Sequence, residues 1–149
     1  MKRFAFFGKV IALLAMLAAT LALFVGLGVA PAAAQDGDSA HPPEVIEVED
    51  GRAPAEGNWT FQATDLASGG GYLYSSGSTD DVLTLSFTGT SLEIRYVEHP
   101  SFGVMAIEID NTVVRTVNTA SNTDGAIFGA TQLINYLPEG EHTLRLYAT

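Results

Sequence analysis

Two kinds of hydrophobic patterning divide the chain near residue 35. Ahead of it, Val10 to Ala34 contains no charged side chain, and Leu13, Leu14, Leu17, Leu21, Leu23, Phe24 and Leu27 make the stretch strongly apolar. Beyond it, apolar and polar residues alternate with the period of two that marks a half-buried strand, and no window sustains a helical 3.6-residue period. Val82–Phe87 sets Leu83, Leu85 and Phe87 against Thr84 and Ser86, while Ser91–Val97 sets Leu92, Ile94 and Tyr96 against Glu93 and Arg95. Gly89-Thr90 between them predicts a short hairpin turn. Val104–Asp110, with Met105, Ile107 and Ile109 on one face, and Val113–Val117 predict a second hairpin through Asp110-Asn111-Thr112. Glu141–Ala148 sets Leu144 and Leu146 against Thr143, Arg145 and Tyr147, following the Pro138-Glu139-Gly140 turn. Further strands are predicted at Val45–Glu49, Trp59–Ala63, Tyr72–Ser75 and Ile127–Leu137. Strands this short and this closely spaced predict an all-β antiparallel sandwich.

The N-terminal pattern is that of a targeting segment. Lys2, Arg3 and Lys9 hold positive charge ahead of the apolar run, and Pro31-Ala32-Ala33-Ala34-Gln35 follows it. Ala32 and Ala34 meet the small-residue requirement of signal peptidase, which predicts cleavage before Gln35. The apolar run, Val10 to Val29, is close to the ~20 residues that span a bilayer, so an uncleaved hydrophobic anchor helix over residues 10–30 is the alternative. In either case the basic N-terminus stays inside and the remainder is secreted or displayed at the cell surface. The expected organisation is a signal or anchor segment over 1–34, a polar linker over 35–43 (QDGDSAHPP) and a β-sandwich over 44–149.

Setting the first 34 residues aside changes the charge picture. All 17 acidic residues lie beyond residue 35, against Arg52, Arg95, Arg115 and Arg145 and no lysine, which leaves the exported part at −13. Such a surface excludes nucleic acid and anionic lipid as partners and tolerates neutral sugars. The chain has no cysteine, so neither a disulfide framework nor a lipid-modified N-terminal cysteine is available. Stability must come from core burial, for which about 115 residues suffice. No feature bears on oligomeric state.

The succession Ser68-Gly69-Gly70-Gly71-Tyr72, Leu83-Thr84-Leu85-Ser86-Phe87-Thr88-Gly89-Thr90, Ile107-Glu108-Ile109-Asp110-Asn111 and Leu137-Pro138-Glu139-Gly140-Glu141-His142-Thr143-Leu144 resembles the galactose-binding-like jelly-roll domains of bacterial extracellular proteins, many of them carbohydrate-binding modules. The likeness covers Val45 to Thr149. It implies a jelly-roll β-sandwich, and it suggests a non-catalytic accessory domain that binds a polysaccharide or a cell-envelope glycan. The family usually ends with one further strand carrying an Asp. Without it before Thr149, either the Glu141–Ala148 strand ends the protein or, as the resemblance favours, the domain is short of its last strand and the chain continues.

Site candidates follow from both lines of reasoning. Aromatic rings stack on the apolar faces of pyranoses while polar groups read the hydroxyls. Tyr72 and Tyr74 beside the glycine loop, Tyr147 on the outward face with Arg145, His99 in the loop 97–103, and Asn122 and Asp124 in the loop 118–125 are the ligand-binding candidates. Trp59 and Tyr96 share faces with Phe61 and Ile94 and are expected in the core. Glu47 and Glu49, on one face of a strand, resemble the Glu-x-Glu with which several such modules hold a structural calcium, the competing reading being solvated charges on an edge. No other cofactor is implied.

Catalysis finds little support. His41, His99 and His142 have no carboxylate or second histidine at metal-ligand spacing, and no serine sits in a nucleophile-elbow motif. The alternatives to glycan binding are a structural or adhesion module of a larger surface protein and an exported hydrolase. The hydrolase would need a carboxyl pair about 5–9.5 Å apart in a cleft.

Overall fold

The computed structural model describes residues 5–13, 44–48 and 51–149. In chain order its strands are β1 (Ala5–Leu13), β2 (Glu44–Ile46), β3 (Ala55–Glu56), β4 (Trp59–Ala63), β5 (Gly71–Ser75), β6 (Val82–Thr88), β7 (Ser91–Glu98), β8 (Val104–Ile109), β9 (Thr112–Asn118), β10 (Ile127–Ile134) and β11 (Glu141–Ala148). They form two antiparallel sheets among the described residues. One runs β10-β7-β1-β5-β4 with β2 beside β1, and the other runs β3-β6-β11-β8-β9. The jelly-roll sandwich predicted from alternation and resemblance is therefore the fold.

The alternating residues meet between the sheets as expected. Leu83, Leu85 and Phe87 of β6, Met105, Ile107 and Ile109 of β8, and Leu144 and Leu146 of β11 face Leu92, Ile94 and Tyr96 of β7, with Ile46 and Val48 completing the core. Each of the fully buried aliphatic side chains contributes about 1.5–3 kcal/mol relative to exposure. The second predicted hairpin is present. Asp110 and Asn111 both take positive φ, 50° and 63°, the two-residue turn whose twist matches the flanking β8 and β9.

The first predicted hairpin is not. β6 pairs with β3 and β11, whereas β7 pairs with β1 and β10, so Gly89-Thr90 turns the chain from one sheet to the other. Both strands still direct their apolar face to the same core, which is why alternation alone could not distinguish a hairpin from a corner. The corner's backbone bonds go to the 137–140 turn instead: Gly89 N–H donates to the Gly140 carbonyl at 3.0 Å and Leu137 N–H to the Thr90 carbonyl at 2.9 Å.

The N-terminal expectation also changes in part. Residues 5–13 are not helical but form β1, which lies between β5 and the far half of the sheet and pairs with β2, β5 and β7. Phe6, Phe7, Val10 and Ile11 carry the aromatic and β-branched character that suits a strand. Most of the apolar run, the cleavage site, the linker 35–43 and Glu49 lie outside the described residues. No helix among the described residues is long and apolar enough to cross a membrane.

Candidate functional site

The outer face of the first sheet carries the candidate site. In β5, Leu73 packs toward the core, so alternation sends Tyr72 and Tyr74 to the other face. Register pairs Tyr74 with Thr60 and Tyr72 with Gln62 of the neighbouring β4, giving two consecutive rows of one ring and one polar side chain. The ring centroids of Tyr72 and Tyr74 are 6.2 Å apart at 44°.

Two further aromatics brace this pair. Phe102, buried in the loop after β7, stacks on Tyr74 with centroids 6.4 Å apart and planes at 28°. Phe128 of β10 meets Tyr72 edge-on at 5.8 Å. Phe128 reaches the outer face because β10 carries a bulge. Its register against β7 jumps between Ile127 and Ala130, with Gly129 at φ +83°. The extra residue returns the later β10 residues, Ala130 and Ile134, to the core while Phe128 stays outside. Burial raises the Tyr72 phenol above its ordinary range, with Tyr74 adding to the effect, so it is a protonated hydroxyl at neutral pH.

His99 closes one end. Its ring lies 5.1 Å from that of Phe102, its Nδ1 is 2.7 Å from Ser101 Oγ, and the Ser101 N–H donates to the same Nδ1 at 3.2 Å. An N–H can only donate, so Nδ1 is the acceptor and Nε2 is the nitrogen left to carry the proton of the neutral ring. The loop is clasped to its neighbour. His99 N–H donates to the Thr119 carbonyl, Thr119 N–H to the Gly103 carbonyl and Ser121 N–H to the His99 carbonyl. Together Gln62, Tyr72, Tyr74, His99, Ser101 and Phe102 line a depression of about 140 Å³.

A second depression, of about 290 Å³, adjoins it and is lined by Gly57, Asn58, Trp59, Thr60, Tyr74 and Ser76. Its wall is held by a buried carboxylate. Asp81 Oδ1 accepts from the Asn58 N–H at 2.6 Å, and Oδ2 accepts from Ser75 Oγ, Ser76 N–H and Ser76 Oγ at 2.7, 2.9 and 2.7 Å. Burial alone would raise the Asp81 pKa, but the donors from Asn58, Ser76 and Ser75 outweigh it and hold the group below the usual carboxylate range. Gly57 fits tightly against this carboxylate. At φ +94°, a Cβ there would overlap Asp81 Oδ1 and stand 2.9 Å from the Asp80 carbonyl oxygen.

The structure thus brings Tyr72, Tyr74 and His99 together. Asn122 and Asp124 lie exposed on the loop clasped to that of His99 and line neither depression. Tyr147 is on the opposite sheet. Its hydroxyl donates to Glu108 Oε2 at 2.8 Å, Arg145 Nη1 donates to Oε1 at 2.7 Å, and the guanidinium carbon stands 5.8 Å from the tyrosine centroid. Burial pushes Glu108 upward, but the bonds from Tyr147 and Arg145 prevail and lower its pKa, while the bond to Glu108 raises that of Tyr147. Tyr147 covers a buried carboxylate rather than offering a free platform, for an alternation pattern gives its face and not its partner.

Trp59, expected in the core, is half-buried. It packs against the core, donates from Nε1 to the Glu56 carbonyl at 2.8 Å and also lines the larger depression. Gln62, Thr60 and Ser101 escaped the sequence reading. Only the outward positions of Trp59–Ala63 hinted at the first two, and using them required the register with β5.

For calcium, six to eight oxygens are needed. Glu47 Oε1 accepts from Ser68 Oγ at 2.7 Å, its proposed companion Glu49 lies outside the described residues, and no group of three or more potential metal ligands occurs among the described residues.

Two packed antiparallel sheets in this connectivity form a jelly-roll β-sandwich. Among solved structures, a family 35 carbohydrate binding module from Clostridium thermocellum is similar to this chain with a TM-score of 0.55 and 22% identity, covering 70% of this chain and 86% of that one. At that identity the likeness shows the fold. No protein-family model matches the chain, and no curated protein does.

Proposed function

We propose that this chain is an exported, non-catalytic domain that binds neutral carbohydrate on the Tyr72–Tyr74 face. The observation that carries the reading is the pair of tyrosines 6.2 Å apart, backed by Phe102 and Phe128 and flanked by Gln62, His99 and Ser101. Rings supply apolar area to a pyranose face, and amide, imidazole and hydroxyl groups supply donors and acceptors for its hydroxyls. Neither depression is lined by an aspartate, glutamate, lysine or arginine side chain. Among the described residues the depressions offer no arginine or lysine to a uronate or a phosphorylated sugar, and the −13 carried beyond residue 35 opposes anionic ligands. The similarity in fold to a carbohydrate binding module supports the same reading.

Export is supported by the basic N-terminus, the apolar run and the Ala-x-Ala site before Gln35. Cleavage there would remove β1, so the paired strand and the processed N-terminus belong to different forms of the chain. Mass spectrometry of the protein released outside the cell is expected to find a mature N-terminus at Gln35; recovery only from membranes with Met1 intact would favour the anchor. For binding, affinity electrophoresis through gels containing neutral polysaccharides is expected to retard the folded protein. Unretarded migration in every gel would favour the structural or adhesion module.

A further inference from the structure

We infer that the site takes an extended glycan chain, with at least two sugar units lying along the β4–β5 ladder, rather than a single sugar. The inference rests on the carbohydrate reading above and adds the form of the ligand. The two depressions adjoin, because Tyr74 lines both. Thr60 and Tyr74 form one cross-strand row and Gln62 and Tyr72 the next, so the surface runs along the strands, with a row spacing of roughly 6.8 Å from two residues at ~3.4 Å each. Each row offers one ring and one hydrogen-bonding side chain, the same equipment twice.

Volume points the same way. Small-ligand pockets measure about 300–1,000 Å³. At about 140 Å³ the smaller depression falls well below that range, the larger lies at its lower end at about 290 Å³, and side by side at Tyr74 they offer more room than either alone. β4 is the edge strand of its sheet, so among the described residues no further strand walls the groove beyond it. The larger depression is also built to keep its shape, since Asp81 ties the backbone of Asn58 to that of Ser76. A ligand resting on Tyr72 and Tyr74 that continues past Thr60 therefore reaches the larger depression at Asn58.

The test is calorimetric titration of the full chain with xylo-, manno- and gluco-oligosaccharides, from the monosaccharide to the hexasaccharide. In the series that binds, affinity is expected to rise about tenfold or more from the monosaccharide to the tetrasaccharide and then level off. Asn58→Ala, which keeps the backbone bond to Asp81, is expected to compress that ratio severalfold. Thr60→Ala, at an exposed position, repeats the test should the first variant fail to fold. Equal affinity for monosaccharide and tetrasaccharide, or a ratio untouched by both variants, would overturn the extended-chain inference and leave carbohydrate binding standing. Absence of binding to every oligosaccharide and to the parent polysaccharides by folded protein would overturn both.

Discussion

His142 and Asp110 are hydrogen-bonded across the start of β11, with Nδ1 2.7 Å from Oδ2, while the opposite ring nitrogen stands 2.7 Å from the Pro138 carbonyl oxygen. Both neighbours of the ring are acceptors, so the imidazolium, with two N–H donors, fits the site best. The bond to Asp110 raises the His142 pKa above 6.5, burial works against it, and the Pro138 carbonyl adds to the rise. Asp110 is lowered below 3.8 by the same bond and by the Thr143 N–H.

Stability should follow these shifts. A raised histidine contributes fully below its unfolded pKa of 6.5 and loses the contribution as pH climbs through its folded value. A depressed aspartate contributes above 3.8 and loses the contribution as pH falls through its folded value. The difference in urea midpoint between the parent protein and His142→Gln is thus expected to be largest between those limits and to shrink on the alkaline side. A difference that stays constant into alkaline buffer would refute the paired imidazolium.

Asp81 should matter more than its position in a surface loop implies. It is 1% exposed and receives four hydrogen bonds. Asp81→Asn replaces one acceptor oxygen by a donor facing donors, and is expected to cost about 2–3 kcal/mol, within the range for bonds to charged groups and unsatisfied buried polar atoms. Chemical denaturation of the variant measures it, and a loss below ~0.5 kcal/mol would contradict the assigned role.

The bulge at Gly129 gives a third test. Nothing stands within 4 Å of a Cβ there, so Gly129→Ala meets no clash, only the backbone penalty of φ +83°. That penalty is about 1–2 kcal/mol. Because Phe128 braces Tyr72, the substitution is also expected to alter near-ultraviolet dichroism from the tyrosines.

Tyr147→Phe separates the two faces of the sandwich. Removing the hydroxyl leaves Glu108 with its bond to Arg145, and is expected to cost about 1–2 kcal/mol of stability. Glycan affinity should not change, since Tyr147 is on the sheet opposite Tyr72 and Tyr74. Binding lost in Tyr147→Phe with the fold intact would move the site to the other sheet.

What could be read from the residues and what could not divides along physical lines. Alternation such as Leu83-Leu85-Phe87 or Leu144-Leu146 reports which face is buried, and β11 follows it residue for residue, whereas in β4 Phe61 is exposed although it alternates with Trp59. It carries no information about the neighbouring strand. Gly89-Thr90 therefore carries the pattern of a hairpin turn although it forms a corner between sheets, and the bond from Tyr147 to Glu108 leaves no trace in the pattern. β3 spans two residues, too few to show a period, and β1 lies in a stretch whose apolar length masked its strand character. Within the site, Tyr72, Tyr74 and His99 were visible as residue types beside a glycine loop or a turn. Gln62 and Thr60 became visible only through register, and Phe128 only through a bulge that no local residue pattern announces without the partner strand.

The central claim is that Tyr72 and Tyr74 form the carbohydrate-binding surface. The most direct test is calorimetric titration of the parent protein and of Tyr72→Leu and Tyr74→Leu with whichever neutral oligosaccharide binds, with circular dichroism confirming that each variant is folded. Each substitution keeps apolar bulk but removes the ring and its hydroxyl, and a loss of affinity of about tenfold or more is expected from each. Unchanged affinity in both folded variants would contradict the account.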